Sequence, residues 1–280
     1  MSIGQASAAV ASATVDPSTP VRALKRRGDV LHLGERDIVR IARAHGPRQG
    51  IVAIVARQAW HEWRIRLATR TSFRHRANAA AVSAYCEMDG DDFAGINARQ
   101  AWANWRTIPR NLAGNLPNRP VRIVDLCCGI GQSTDVLAYY ATPGSTLLGL
   151  EYNPRFVELA RSRIYRHAEG IPAEARFVAQ SVLETFQDEN RTALGADSVD
   201  LVNASGAVGC HFDRAASVRL AAEVARVLVP GGLALIDSGP AGTPGDDLRS
   251  IFAEHGFVSR GHARSCLVDR YRQLRLRKRG

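Results

Sequence analysis

The stretch Val124-Asp-Leu-Cys-Cys-Gly-Ile-Gly131 closes an apolar run and leads into a helical pattern. Gly129 and Gly131 carry no Cβ, so the backbone there can turn sharply and approach a ligand. A helix starting near Gln132-Ser133 would present free N–H groups and the positive end of its dipole. That combination cradles a nucleotide or a nucleotide analogue, although a tight strand–helix turn without a ligand uses the same residues. Twenty residues after Gly131 stands Glu151, at the end of Leu147-Leu-Gly-Leu150. A carboxylate at the tip of a second strand can accept hydrogen bonds from two ribose hydroxyls. A dinucleotide loop asks for Gly or Ala where this chain has Thr134, which counts against NAD.

Two further groups of residues bear on chemistry. His211 is the candidate general base, since imidazole titrates near neutrality; a structural histidine is the alternative. Five cysteines (Cys86, Cys127, Cys128, Cys210, Cys266) match no metal-ligand spacing, so no metal is expected. Their odd number and the adjacent pair argue against a disulfide scaffold and for a reducing, cytoplasmic setting.

The elements that must position these residues fall into two textures. Residues 1–24 lack periodicity and contain Asp16-Pro-Ser-Thr-Pro20, so a disordered tail is expected. Residues 25–119 read as an all-helical, basic extension. Helices are expected over Gly34–Ala44, over Gln49–Met88 as one or two segments, and from Phe93 until Pro109. Trp60 and Trp63, with Arg64, Arg66, Arg70, Arg74 and Arg76, give one helix a basic, aromatic face. That face suits an anionic acceptor, RNA or an acidic partner, or is simply solvated.

From residue 120 the pattern becomes alternating. Apolar runs at Val121–Leu126, Thr146–Glu151, Ala175–Ala179, Val199–Asn203 and Leu233–Asp237 read as strands. Between and after them, helices are expected at Ser133–Ala141, Pro154–Ala168, Ser181–Asn190, Arg214–Leu228 and Asp246–His255. Such alternation means a parallel sheet with helices on both faces, an α/β architecture. Gly256–Val258 reads as a short strand, and Gln273–Lys278 alternates with period two as an antiparallel strand.

Charge follows the same division. Residues 1–119 hold 18 Lys+Arg against 9 Asp+Glu, residues 120–260 hold 12 against 17, and residues 261–280 hold 7 against 1. The basic ends could serve an anionic partner, but only Lys25 and Lys278 are lysine, so an arginine-biased composition is the plainer account. The longest apolar run, Ile51–Ala56, is far short of the roughly 18 residues of a spanning helix, and neither a secretory signal nor a membrane partner is expected.

Asp125-Leu-Cys-Cys-Gly-Ile-Gly131 resembles motif I of class I S-adenosylmethionine-dependent methyltransferases, an acidic residue followed by G-x-G-x-G, with Cys127 in place of the first glycine. Leu148-Gly-Leu-Glu-Tyr-Asn-Pro154 resembles the second-strand acidic motif of that superfamily. Ala196-Asp-Ser-Val-Asp-Leu-Val-Asn203 resembles the fourth-strand motif, and Ala225–Ile236 the L-x-P-G-G turn before the fifth strand. The resemblance covers residues 120–280. It implies a Rossmann-like, seven-stranded, mostly parallel sheet ending in an antiparallel hairpin, with S-adenosyl-L-methionine as cofactor and S-adenosyl-L-homocysteine as product. It also implies that Gly129 and Gly131 pack against the methionine part of the cofactor, with Cys127 in the same loop and Asp125 helping to hold that end. Glu151 would bind the ribose and Tyr152 flank the adenine. Gln180 and Ser181 match the adenine position, where many members have Asp. Asn203 and Ala204 would face the reacting methyl group.

The tip Asn203-Ala-Ser-Gly206 lacks the Asn/Asp-Pro-Pro-Tyr/Phe segment of many amino-methylating enzymes. The expectation is therefore transfer to O, N or C of a small-molecule acceptor. The rivals are methylation of RNA or a ribosome-associated protein, and a catalytically inactive cofactor-binding subunit or scaffold. In relatives the segment before the first strand shapes the acceptor pocket, so Tyr85, Trp102, Trp105 and Arg106 are candidate pocket residues; core packing is the alternative for the two tryptophans.

Overall fold

The computed structural model describes residue 24, residues 26–69, residue 85, residues 87–267 and residues 269–280. The chain opens with a two-residue ladder, β1 (Arg26–Arg27) against β2 (Val30–Leu31). Then follow helices α1 (Glu35–His45), α2 (Ile51–Thr69), α3 (Gly90–Ile96) and α4 (Ala98–Leu112). The second part runs β3 (Arg122–Leu126), α5 (Gln132–Tyr140), β4 (Thr146–Glu151), α6 (Pro154–Arg161), β5 (Glu174–Ala179) and β6 (Val199–Ala204). It ends with α7 (Val208–His211), α8 (Arg214–Val227), β7 (Leu228–Ser238), α9 (Gly245–Glu254), β8 (Phe257–Ala263) and β9 (Arg272–Lys278).

Seven strands form one sheet in the order β5-β4-β3-β6-β7-β9-β8, in which only β9 runs antiparallel to its neighbours. The order reverses between β3 and β6, the place where an open α/β sheet leaves a crevice at the carboxyl ends of its strands. Both faces are covered, which is why the strands read as nearly continuous apolar runs. Ile123, Leu147, Phe177 and Leu201 face one way, toward α5 and the α4 residues Trp105, Ile108 and Leu112. Val124, Leu148, Val178 and Val202 face the other, toward α8 and α9. The N-terminal helices thus share a core with the sheet. A smaller cluster joins Ile65 of α2 and Ile96 of α3 to Ile130 in the glycine loop and Phe156 of α6. Among the described residues no helix is long and apolar enough to cross a membrane.

Several expected elements take another form. The front part is not all helical: Gly28-Asp29 turns the chain into the β1–β2 hairpin, too short to leave a periodic signal. The helix expected to stop before Pro109 continues to Leu112, because a proline in the last turn removes only one backbone donor. Residues 181–190 form no helix. Gln180 bonds the backbone of Ser181, Thr185 and Gln187, Glu223 takes the Phe186 N–H, and Asp188 takes those of Asn190 and Thr192. Side chains that capture local backbone groups in this way compete with helix formation. α6 ends at Arg161 rather than Ala168, and the Tyr165 hydroxyl folds back onto the Ala160 carbonyl. The tail expected over residues 1–24 lies outside the described residues except for Leu24, which is buried. Arg70, Arg74 and Arg76 of the basic face, and Cys86, also lie outside them.

Gly149 of β4 pairs with Phe177 of β5, and a Cβ there would lie 2.4 Å from the Phe177 ring and 2.8 Å from Cys128 Sγ. Gly149→Ala is expected to lower unfolding free energy by about 2 kcal/mol, read from the urea midpoint at constant slope.

Candidate functional site

The glycine loop leaves β3 through three left-handed residues, Cys127 (φ 50), Gly129 (φ 55) and Gly131 (φ 84). Such angles are costly for a side chain and free for glycine, so Cys127 is held there by its surroundings. Gly131 is the N-cap of α5 and supplies no side chain to its first N–H groups. A neutral backbone end of this kind favours an anionic group, such as a carboxylate.

Asp125 lies beneath the loop and is fully buried. Its carboxylate accepts Ser133 Oγ (2.7 Å) and Thr134 Oγ1 (2.6 Å) from α5 and Asn203 Nδ2 (2.7 Å) from β6. Burial pushes its pKa up to about 6 against the pull of those three donors. The structure therefore gives Asp125 the work of fixing the loop, the helix start and β6 to one another. The tie continues outward. Gln273 of β9 donates to Asn203 Oδ1 (2.9 Å) and Ser205 Oγ (2.8 Å), and Asn111 of α4 donates to Gln273 Oε1 (3.1 Å).

Glu151 sits at the tip of β4. It accepts the Gly129 N–H (2.9 Å) on Oε2 and the Asn153 N–H (2.9 Å) on Oε1. Burial raises its pKa, and these backbone bonds oppose the rise. Each carboxylate oxygen has a second lone pair, so the group can still take a diol. Tyr152 beside it is exposed. Gln180 and Ser181 lie just past β5, but the Gln180 amide is engaged by its own loop. Ala204 ends β6 and is fully buried. The Phe93 ring of α3 lies against Gly129, where a Cβ would fall 2.6 Å from it. A ligand over this loop must therefore lie beside that ring or displace it.

Next to the loop, at the carboxyl ends of β6 and β7, is a cavity of about 380 Å³. Its walls come from α2 (Gln58, Glu62), α4 (Gln100, Ala103, Thr107), Tyr85, the β6 tip (Ser205, Gly206), α7 (Cys210, His211) and the stretch before β9 (Asp269, Tyr271). The His211 imidazole meets the Tyr85 ring edge-on with centroids 5.4 Å apart. Burial lowers its pKa from the ordinary imidazole value. Burial likewise pushes the Cys210 thiol up to about 12, so it stays protonated. Arg99 is paired with the buried Asp269 at 2.6 Å.

The structure thus joins Tyr85 and His211 in one cavity and sets Asn203 directly behind it. It does not bring Trp102, Trp105 or Arg106 there. Trp105 is buried against Tyr139 and His45, and the Arg106 guanidinium lies over the Trp102 ring at 3.6 Å. The reason is helical phase: residues 100, 103 and 107 share the face of α4 toward the cavity, and 102, 105 and 106 lie on others. Gln100, Asp237, Tyr271 and Gln273 escaped the sequence reading. Asp237 and Gln273 lay within expected strands, and no short-range pattern marks a strand residue as facing a cavity.

The geometry sets a glycine loop, a free helix start and a strand-tip carboxylate beside a partly open cavity. Residues 123–232 match a family model described as a methyltransferase domain. No curated protein matches the chain. Among solved structures, the complex between the Haloferax volcanii Trm112 methyltransferase activator and a methyltransferase aligns at 17% identity over 68% of this chain and 96% of that one, with a TM-score of 0.52. An S-adenosylmethionine-dependent methyltransferase from Mesorhizobium loti aligns at 18% identity over 61% and 96%, with a TM-score of 0.46. Magnesium protoporphyrin IX methyltransferase from Synechocystis PCC 6803 aligns at 16% over 88% and 98%, also at 0.46.

The site residues fit S-adenosylmethionine: Glu151 offers acceptors to a ribose, and the open start of α5 offers donors to a carboxylate. Calorimetry is expected to show binding of S-adenosylhomocysteine and none of NAD. Glu151→Ala should weaken that binding tenfold or more, about 1.4 kcal/mol.

Proposed function

We propose that this S-adenosylmethionine-dependent methyltransferase, of the class I Rossmann-like fold, transfers its methyl group to O, N or C of a small molecule held in the cavity beside His211. The cofactor, when bound, supplies a methyl group already activated on a sulfonium, so the protein's share is positioning, exclusion of water and removal of a proton. Gly129, Gly131 and Glu151 hold the cofactor, and the β6 tip at Asn203 and Ala204 sets the direction of transfer. His211 takes the acceptor's proton as the new bond forms. Its depressed pKa keeps it neutral at pH 7, the form a base requires.

The observation that carries this reading is the cavity itself. About 380 Å³ lies in the usual range for small-ligand pockets, and α2 and α4 wall it in. An RNA acceptor would need an open, basic approach to the same spot. Of the two arginines that line the cavity, Arg99 is already paired with Asp269.

Methyl-labelled cofactor incubated with cell extract should place label in the small-molecule fraction; label in RNA would overturn the reading. With the acceptor in hand, His211→Ala should lower turnover by about 100-fold or more while leaving S-adenosylhomocysteine affinity unchanged. Because the histidine must be neutral, and its folded pKa lies below the ordinary value, turnover should be flat through pH 7. It should fall only on the acid side of the ordinary imidazole range.

A further inference from the structure

His211 stands on α7, a single turn of helix, which by itself is marginal. Its position is imposed from outside. Asp237, at the carboxyl end of β7, is buried and directs both carboxylate oxygens at the start of that turn. Oδ1 accepts the N–H groups of Ala207 (3.2 Å) and Val208 (3.1 Å), and Oδ2 accepts that of Gly209 (2.8 Å). The opposite side of the turn is held too, since the Gly242 N–H donates to the Gly209 carbonyl at 2.7 Å. The contact is close enough to exclude side chains. A Cβ on Gly209 would lie 2.4 Å from the Ser238 carbonyl carbon, and one on Gly242 would lie 2.2 Å from the Val208 carbonyl oxygen.

We infer that Asp237 is the positioning residue for His211: its carboxylate clamps the 207–209 backbone and so aims the imidazole into the cavity. The assignment rests on His211 being the base. Asp237 itself touches no reacting atom. Its backbone bonds go to residues 206–209, at the start of α7, and its effect on transfer passes through the histidine. A carboxylate suits the task because it accepts several N–H bonds at once, and bonds to a charged acceptor are stronger than those to a neutral one.

The test needs no acceptor. Nitrogen-labelled full-length chain is titrated by NMR, with the His211 ring signals assigned by their loss in His211→Gln. The titratable and charged groups around that ring are Tyr85, Glu62, Cys210, Tyr271, Arg272, the Arg99–Asp269 pair and Asp237 itself; Asp237→Asn removes that last charge, whereas Gly242→Ala leaves all of them in place. Wild-type His211 should titrate below the ordinary value. In Asp237→Asn, which keeps the shape and loses the second acceptor oxygen, its pKa should move by about half a unit or more. Homocysteine-product binding, seated on the glycine loop, should stay within about threefold. Gly242→Ala, which pushes on the other side of the turn, should move the same signals and serves if Asp237→Asn does not fold.

A His211 pKa unchanged in both variants, with only a lower melting temperature, would overturn the assignment and leave Asp237 a structural residue. A wild-type pKa at the ordinary value would instead remove the reading of His211 as a buried neutral base. The two failures are therefore told apart.

Discussion

The carboxylate of Asp125 is the tie on which the carboxyl edge of the sheet depends. It is buried, and it joins the start of α5 to β6 through Ser133, Thr134 and Asn203. Asn203 hands the connection to Gln273 of β9, and Gln273 receives Asn111 from α4. One chain of hydrogen bonds thus crosses from β3 to the N-terminal helices. In a low-dielectric interior such a network is stiff when every member is satisfied and costly when one is missing. The tie fixes the glycine loop, the β6 tip and the inner wall of the cavity relative to one another.

Around that tie, two kinds of surface meet. On one side is the loop with its bare helix start and Glu151, shaped for a nucleotide-like ligand. On the other is a cavity walled in part by helices that precede the sheet in sequence. The cavity holds an imidazole whose pKa burial lowers, and a thiol and two phenols whose pKa values burial pushes up. Of its charged groups, Arg99 and Asp269 pair with each other.

The glycine loop, Glu151 and the seven strands were legible because each is local. A loop that needs positive φ shows its glycines, and a strand buried on both faces shows an unbroken apolar run. Asp125 was legible as a motif residue; that its carboxylate also takes Asn203 was not, because that donor stands on a strand far along the chain. The helix expected at residues 181–190 failed for a related reason. Its polar side chains had better partners in the backbone around them, and in Glu223 from another helix.

What the amino-acid order alone determined was the fold class; it also offered the glycine loop, Glu151 and His211 as candidates, since these rest on residue types at short spacing. Which residues line the cavity was decided only in three dimensions. Trp102, Trp105 and Arg106 looked suited to a pocket, but the phase of α4 turns Gln100, Ala103 and Thr107 inward instead. Asp237 and Tyr271 come to His211 from segments far along the chain, brought there by the pairing of β7 with β6 and β9. Periodicity records which side of an element is apolar. It does not record what that element will face, because facing is set by the packing of segments distant in sequence.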